Sequence, residues 1–213
     1  MQKRGIIFDL DGTLWDVTDS TCYAANVIAK KYSLPEVIRE TVCNGFGRDK
    51  ISNAKLYFPN VQINKAVELL SETSKFKNNI LKEKGGIIYK NLNEVLDKLK
   101  DNYNFYIVSY TSDVEYIEIF LNTSGLKEYF IDYIATGALN MKKHEGIRKI
   151  IDLHNIKESV YIGDTEIDKI ETSLAGIPFI HAKYGFDKEL SSEYYIDNLE
   201  QLPIVLNEIF KTN

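Results

Sequence analysis

The chain has 213 residues, of which 44% are hydrophobic and 27% are charged, and its net charge is −5. This charge excludes the basic footprint of a protein that binds nucleic acid or an anionic membrane. No run of residues approaches the roughly 20 apolar positions of a membrane span, and Cys22 and Cys43 are too few for a disulfide framework. We expect a cytoplasmic protein in which both cysteines are small, buried helix residues.

Short apolar runs alternate with helical patterns along most of the chain, which is typical of an α/β fold with a parallel sheet. Five strands and a short sixth are predicted at Ile6–Phe8, Phe105–Val108, Tyr133–Ala135, Val160–Ile162, Phe179–Ile180 and Tyr194–Ile196. The apolar positions between these runs recur at the spacing that seats a helix on a sheet. The predicted helices are Leu92–Leu99, Val114–Leu121, Glu145–Leu153, Ile167–Leu174 and Leu199–Phe210.

One long segment interrupts this alternation. Between Thr18 and Glu83 one helical pattern follows another without a strand, and such a segment is too large for a simple crossover. We predict that residues 16–86 form an all-helical domain inserted after the first strand. Residues 1–15 and 87–213 would then form a Rossmann-like parallel core, to which the chain returns at Gly85-Gly86.

Polar side chains follow three of the predicted strands at the point where each strand ends. Asp9 and Asp11 follow the first strand, Ser109 follows the second, and Asp164 and Asp168 follow the fourth. Ligands of open parallel sheets bind at the edge formed by the carboxyl ends of the strands. Strand polarity alone therefore predicts that these residues lie together.

Four carboxylates at one edge indicate a particular chemistry. Like charges held close together require either a cation or protonation, and an all-oxygen site with few carboxylates suits Mg²⁺ and a substrate phosphate. A carboxylate can also attack phosphorus to form an aspartyl-phosphate. Asp9 and Asp11, two residues apart, can divide the work, because one can attack while the other transfers protons.

The same residues resemble the motifs of the haloacid dehalogenase superfamily. Asp9-Leu-Asp-Gly-Thr13 is similar to its first motif, Ser109 after an apolar strand to its second, a lysine before a helix to its third, and the Gly163–Asp168 segment to its fourth. The order matches along the whole chain, and the helical insertion resembles the superfamily's cap. The segments that resemble the phosphoglycolate phosphatase-like branch are Ile107–Ser109, Tyr116–Leu121, Val160–Thr165 and Ala175–Ile180.

The resemblance implies a role for each strand-end residue. Asp9 would be the nucleophile and a Mg²⁺ ligand. Asp11 would be the acid and base, and its backbone carbonyl would also hold Mg²⁺. Asp164 would be a direct Mg²⁺ ligand, Asp168 would orient metal-bound waters, and Ser109 would donate its hydroxyl to the phosphate.

Four further residues are expected to bind the substrate. Gly12 and Thr13 would offer free backbone amides to the phosphoryl oxygens. Tyr110, which stands where many relatives have asparagine, would offer its amide while its side chain reshapes the pocket. Arg48 lies in a glycine-flanked turn that resembles the cap loop of the superfamily, and its guanidinium could bind a substrate carboxylate or second phosphate.

The active-site lysine has two candidates, Lys142 and Lys143, which both precede the Glu145–Leu153 helix. We favour Lys143, because it stands four residues before Ile147, as the superfamily's lysine stands before its helix. It would neutralise charge on the nucleophile and the phosphate. The three histidines are expected at the surface or at helix ends, because they form no metal-binding constellation; they are His144, His154 and His181.

The most consistent interpretation is a Mg²⁺-dependent phosphatase of a small phosphorylated metabolite, acting as a monomer or homodimer. One alternative is a phosphotransferase of the sugar phosphomutase kind, which excludes water by closing its cap. A non-catalytic regulatory protein on the same fold is the other, although it would have no reason to keep clustered carboxylates. A carbon–halogen dehalogenase is disfavoured, because that chemistry needs no acid or base at Asp11.

Overall fold

The computed structural model describes residues 3–211 and contains a parallel six-stranded sheet in the order β5-β4-β1-β6-β7-β8. Every pairing in this sheet is parallel. Its strands are β1 Arg4–Phe8, β4 Tyr103–Ser109, β5 Phe130–Ala135, β6 Ser159–Gly163, β7 Phe179–Ala182 and β8 Tyr194–Ile196. All six predicted strands are thus confirmed, most of them with longer bounds.

The central strand β1 is buried on both faces, as parallel strands between helices usually are. Ile6 and Phe8 face one hydrophobic core, whereas Ile7 faces a second core on the other side of the sheet. The helices that cover the sheet are α5 Leu92–Leu99, α6 Val114–Ser124, α7 Lys143–Leu153, α8 Glu166–Ala175 and α9 Leu202–Lys211. β1 therefore delivers the residue after it to the middle of the sheet edge.

Four helices lie between the first strand and the rest of the core. They are α1 Thr18–Lys31, α2 Arg39–Cys43, α3 Lys50–Tyr57 and α4 Ile63–Lys84. They enclose a hydrophobic cluster of their own, which includes Ile28, Val42 and Leu69. We call this helical insertion the cap. The division of the chain into domains at residues 16 and 86 stays a prediction.

A short antiparallel ribbon, which is not among the predicted strands, links the cap to the core. Its strands are β2 Trp15–Asp16 and β3 Ile87–Ile88. The predicted strands were found by their runs of apolar residues, whereas two-residue strands leave no such pattern. The ribbon brings the two ends of the cap to adjacent positions on the core.

Three smaller expectations were wrong. His181 is fully buried in β7 because β6 and β8 flank that strand, and its Nε2 lies 2.8 Å from the carbonyl oxygen of Asp187. Cys22 and Cys43 are half-buried rather than buried. The last helix begins at Leu202 rather than Leu199, because residues Leu199–Gln201 form a 3₁₀ turn.

Among the nine α-helices of residues 3–211, none combines the length with the apolar character that crossing a lipid bilayer requires.

Candidate active site

Asp9 follows β1 directly and occupies the centre of the sheet edge. Its amide donates to the carbonyl oxygen of Ile162 in β6 at 2.8 Å, so the residue is held in line with the strand. The Asp9 side chain is buried. With its backbone fixed and its side chain buried, Asp9 has little freedom to move, and such positioning favours a nucleophile.

The turn after Asp9 is tight and depends on Gly12. Gly12 has a φ of +80°, and a Cβ at this position would lie 2.2 Å from Oδ2 of Asp164, so a larger residue would be both strained and in collision. The amide of Gly12 donates to the carbonyl of Trp15 and that of Thr13 to the carbonyl of Leu10. The expectation of free amides at Gly12 and Thr13 was therefore wrong, because the turn uses both.

Asp164 lies directly after β6 and is fully buried beside this turn. Its Oδ1 accepts from the Thr13 hydroxyl at 3.3 Å, and its Oδ2 accepts from the amide of Phe186 at 2.7 Å. Burial, together with the charges of Asp168 and Asp9, raises the pKa of Asp164 well above its ordinary value. The structure thus holds a carboxylate where its charge is strongly disfavoured without a cation.

Lys143 is the lysine that reaches this site. Its Nζ is buried and donates to Oδ1 of Asp9 at 3.0 Å and to Oδ1 of Asp168 at 2.5 Å. Burial disfavours the charge of Lys143, but Asp168 and Asp9 outweigh that effect and raise its pKa. Lys142, by contrast, is exposed. The structure therefore places Lys143, and not its neighbour, beside the predicted nucleophile.

Asp168 is held by the protein at both of its carboxylate oxygens. Oδ1 accepts from Lys143, whereas Oδ2 accepts from the amide and the hydroxyl of Thr165 at 3.1 and 2.6 Å. This arrangement fixes the position of the Lys143 ammonium. The expected role of Asp168 in orienting waters stays a prediction.

Asp9, Asp164 and Asp168 form a compact acidic cluster. One carboxylate oxygen of each lies within 4.8 Å of the others. Burial raises the pKa of Asp9 to about 7, although Lys143 opposes this effect, and Asp168 and Asp11 add to it. The cluster holds three carboxylates beside a single buried ammonium, which contacts Asp9 and Asp168, so when ionised it has an excess of negative charge that a divalent cation would neutralise.

Asp11 lies at the mouth of the cluster and is only half-buried. Its Oδ1 accepts from the Tyr116 hydroxyl at 2.5 Å and from the Trp15 indole Nε1 at 2.9 Å. Burial raises the pKa of Asp11, and the charge that opposes this most strongly is that of Lys77 in α4. Asp11 is therefore surrounded by three groups that its own motif does not contain.

No sequence motif indicates a role at the site for Tyr116 or Lys77. Tyr116 was noted only within a helix segment, and Lys77 lies in a cap helix whose active-site face no motif marks. The spacing of apolar residues in α6 could have placed Tyr116 on its inner face, where the structure buries it, but its partner Asp11 is 105 residues away. Such contacts depend on how the cap sits on the core.

A cleft of about 630 Å³ lies between the cap and the core, above Asp11. Tyr110 lines its core side, and Arg48 lines its cap side from an exposed position. The Nε of Arg48 donates to the carbonyl of Asn44 at 2.6 Å. Ser109 ends β4 and is buried. A ligand in this cleft would contact both domains predicted from the sequence.

Comparisons with known proteins identify the family of the chain. Residues 6–182 match the family model described as haloacid dehalogenase-like hydrolase. A curated relative, the plasmid-encoded phosphoglycolate phosphatase of Cupriavidus necator, is 23% identical over 94% of this chain and 92% of its own length.

Solved structures share the fold at low sequence identity. A protein described as a predicted phosphoglycolate phosphatase from Haemophilus somnus has a TM-score of 0.85 at 16% identity, over 97% of this chain and 99% of its own. A haloacid dehalogenase-like hydrolase from Streptococcus pneumoniae has a TM-score of 0.83 at 18% identity, over 96% and 98%. With a family match that spans most of its length, the chain belongs to the haloacid dehalogenase-like hydrolases.

Proposed function

We propose that the chain is a Mg²⁺-dependent phosphatase that hydrolyses a small phosphomonoester through an aspartyl-phosphate on Asp9. The observation that carries this proposal is the buried pair of Asp9 and Lys143, whose Oδ1 and Nζ lie 3.0 Å apart beside Asp164. A buried carboxylate with a neighbouring ammonium is suited to attack a phosphoryl group, because the ammonium offsets the charge that gathers there.

The reaction divides into two displacements. In the first, an oxygen of Asp9 forms a bond to phosphorus while the bond from phosphorus to the leaving oxygen breaks, and Asp11 gives that oxygen a proton. In the second, a water oxygen attacks the phosphorus, Asp11 takes the proton of the water, and the bond to Asp9 breaks to release inorganic phosphate. The raised pKa of Asp11 favours the protonated form that the first displacement needs.

Mg²⁺ fits the donor set around Asp9. Oδ1 of Asp168 contacts the Lys143 ammonium and its Oδ2 accepts two donors from Thr165, whereas Oδ1 of Asp164 has only the 3.3 Å contact with the Thr13 hydroxyl. Asp9 and Asp164, with the backbone carbonyl of Asp11, are therefore the groups that would hold the ion. All of these donors are oxygens, as Mg²⁺ prefers. When bound, the ion would neutralise the carboxylates and polarise a phosphoryl oxygen.

The substrate is proposed to be a small phosphorylated metabolite of the kind that phosphoglycolate phosphatases hydrolyse. Three curated relatives bear that name at 23–24% identity. Ser109 and Tyr110 would surround the phosphoryl group, and Arg48 would act from the rim of the cleft. A cytoplasmic location and a monomeric or homodimeric state stay predictions.

The proposal is tested by a phosphate-release screen over phosphoglycolate, sugar phosphates, nucleotides and pyrophosphate. We expect steady phosphate release in Mg²⁺, no release in a chelator, and inhibition by Ca²⁺, which could bind Asp9 through both oxygens and so prevent its attack. Full activity in the chelator would contradict the metal assignment. Turnover only in the presence of a sugar bisphosphate would favour the phosphomutase. The absence of turnover with every substrate would favour the regulatory protein.

The same site predicts how Mg²⁺ binding depends on pH. Asp9 with a pKa of about 7 keeps its proton below that pH, and the proton must leave before the carboxylate can bind a metal. We expect calorimetry to show weaker Mg²⁺ binding at pH 6 than at pH 8, with protons released on binding. The Asp9→Asn variant should lose the part of this pH dependence that comes from Asp9, whereas Asp164, whose pKa is also raised, should keep the rest. Equal affinity of the unaltered protein at both pH values would contradict the assignment of Asp9.

A further inference from the structure

Lys77 stands apart from the other cations of the cap. It lies in α4, lines the cleft, and is half-buried. Its Nζ is placed over the ring of Tyr116 in the core, 3.6 Å from the ring centroid. The Tyr116 hydroxyl in turn donates to Asp11 at 2.5 Å. The cap thus brings a positive charge to the side of the cleft where the predicted acid and base lies.

The carboxylates on the facing helix already have other partners. Asp113 accepts from the side-chain amide of Asn78 at 2.8 Å, and Glu115 pairs with Lys82 at 2.7 Å. Within residues 3–211 no carboxylate oxygen lies within 4 Å of the Lys77 ammonium. Lys77 is therefore a cation that faces the cleft without a direct ionic partner among these residues.

The other cations around the cleft are placed differently. Arg48 is exposed, and its Nε already donates to the carbonyl of Asn44. Lys50 and Lys75 are exposed as well. Charges attract each other more strongly where water is excluded, so the half-buried Lys77 would bind an anion more tightly than these three. Burial lowers the pKa of Lys77 against the influence of Asp11 and Asp113, and a bound anion would favour its charged form.

We propose that Lys77 binds a carboxylate of the substrate and so selects short phosphomonoesters that carry one. This inference rests on the proposed function, because it assumes that the phosphoryl group of the substrate lies at Asp9. A carboxylate suits the position better than a second phosphate, since one ammonium balances one negative charge. A dianionic phosphate would leave an excess of negative charge close to Asp11 and Asp113.

The test compares two substrates of similar length, 2-phosphoglycolate and 2-hydroxyethyl phosphate, of which only the first has a carboxylate. For Lys77→Met we expect kcat/KM on 2-phosphoglycolate to fall about tenfold to a hundredfold, the loss of one charge-assisted hydrogen bond. The value on 2-hydroxyethyl phosphate should fall much less, because that substrate loses only the influence of the Lys77 charge on Asp11. Lys77→Arg, which keeps the charge, should retain part of the preference.

Lys75→Met is the matched control, because Lys75 lies two residues away on the same helix, lines the same cleft and is exposed. It should behave like the unaltered protein on both substrates, and Arg48→Ala should lose less than Lys77→Met on 2-phosphoglycolate. Equal losses of Lys77→Met on both substrates would overturn the proposal, since Lys77 would then act on Asp11 or on cap closure. An unaltered protein that has no preference for 2-phosphoglycolate would overturn it as well.

A binding measurement separates this inference from the proposed function. In an Asp9→Asn background, we expect adding Lys77→Met to weaken calorimetric binding of 2-phosphoglycolate about tenfold or more, whereas adding Lys75→Met leaves it unchanged. Binding that does not depend on Lys77 overturns the inference even if the protein is a phosphatase. A protein that hydrolyses no compound of the substrate screen contradicts the proposed function, while this binding measurement still decides whether Lys77 holds the carboxylate.

Discussion

Replacing Asp9 by asparagine is expected to abolish phosphate release while leaving the fold intact. A carboxamide cannot attack phosphorus, so the loss should reach several orders of magnitude, about 10⁴-fold or more. The replacement has nearly the same volume, and it removes a charge whose burial raises the pKa of Asp9 to about 7. Lys143 keeps its contact with Asp168, so the metal-free variant should unfold at a temperature no lower than that of the unaltered protein.

The measurement is single-turnover phosphate release with Mg²⁺, accompanied by thermal unfolding of both proteins. A variant that keeps a substantial part of the rate would show that Asp9 is not the nucleophile. A variant that loses the rate and also unfolds at a much lower temperature would point to a structural role for Asp9. Asp9→Glu offers a second check, because it keeps the carboxylate but displaces its oxygens, and it should also be severely impaired.

Replacing Lys143 by methionine is expected to have the next largest effect. The change removes the buried ammonium that contacts Asp9 and Asp168, so both carboxylates lose their positively charged partner. The loss of one group that stabilises charge in the transition state costs about 10²- to 10³-fold in kcat. Because a buried carboxylate without its partner also binds protons more readily, the pKa of Asp9 should rise, and the activity that remains should move to higher pH.

Lys142→Met is the matched control for Lys143, since the two lysines are adjacent and Lys142 is exposed. We expect this control to keep nearly the full rate, the full pH profile and the full stability. Similar losses in the two variants would mean that the buried contacts of Lys143 are unrelated to turnover. A Lys143→Met variant with an unchanged kcat would contradict the proposed role of this ammonium.

The fold was largely predictable because its signals are local. Runs such as Ile6–Phe8 are buried on both faces of the sheet and are apolar throughout, which identifies them as parallel strands. In α5, Leu92, Val95, Leu96 and Leu99 are buried, so the period of its apolar residues gave its exact bounds. The ribbon of β2 and β3 was missed, because two residues per strand form no recognisable period.

Only the part of the site that follows the carboxyl ends of the parallel strands was predictable. Asp9 and Asp164 were expected together because parallel strands end at one edge, and the structure places them within one acidic cluster. The engagement of the Gly12 amide within its turn and the contact between Lys77 and Tyr116 could not be predicted. Both contacts depend on the tertiary structure, which cannot be inferred from the spacing of residues along the chain.

The covalent intermediate on Asp9 is tested most directly by chemical trapping. The unaltered protein is mixed with a phosphomonoester and Mg²⁺, quenched during turnover, and treated with borohydride, which reduces an acyl phosphate to an alcohol. Peptide mass spectrometry should then find the reduced side chain at Asp9 and at no other carboxylate, and the signal should be missing without substrate. Turnover that leaves Asp9 unmodified, or modification at another aspartate such as Asp11, would contradict the aspartyl-phosphate on Asp9.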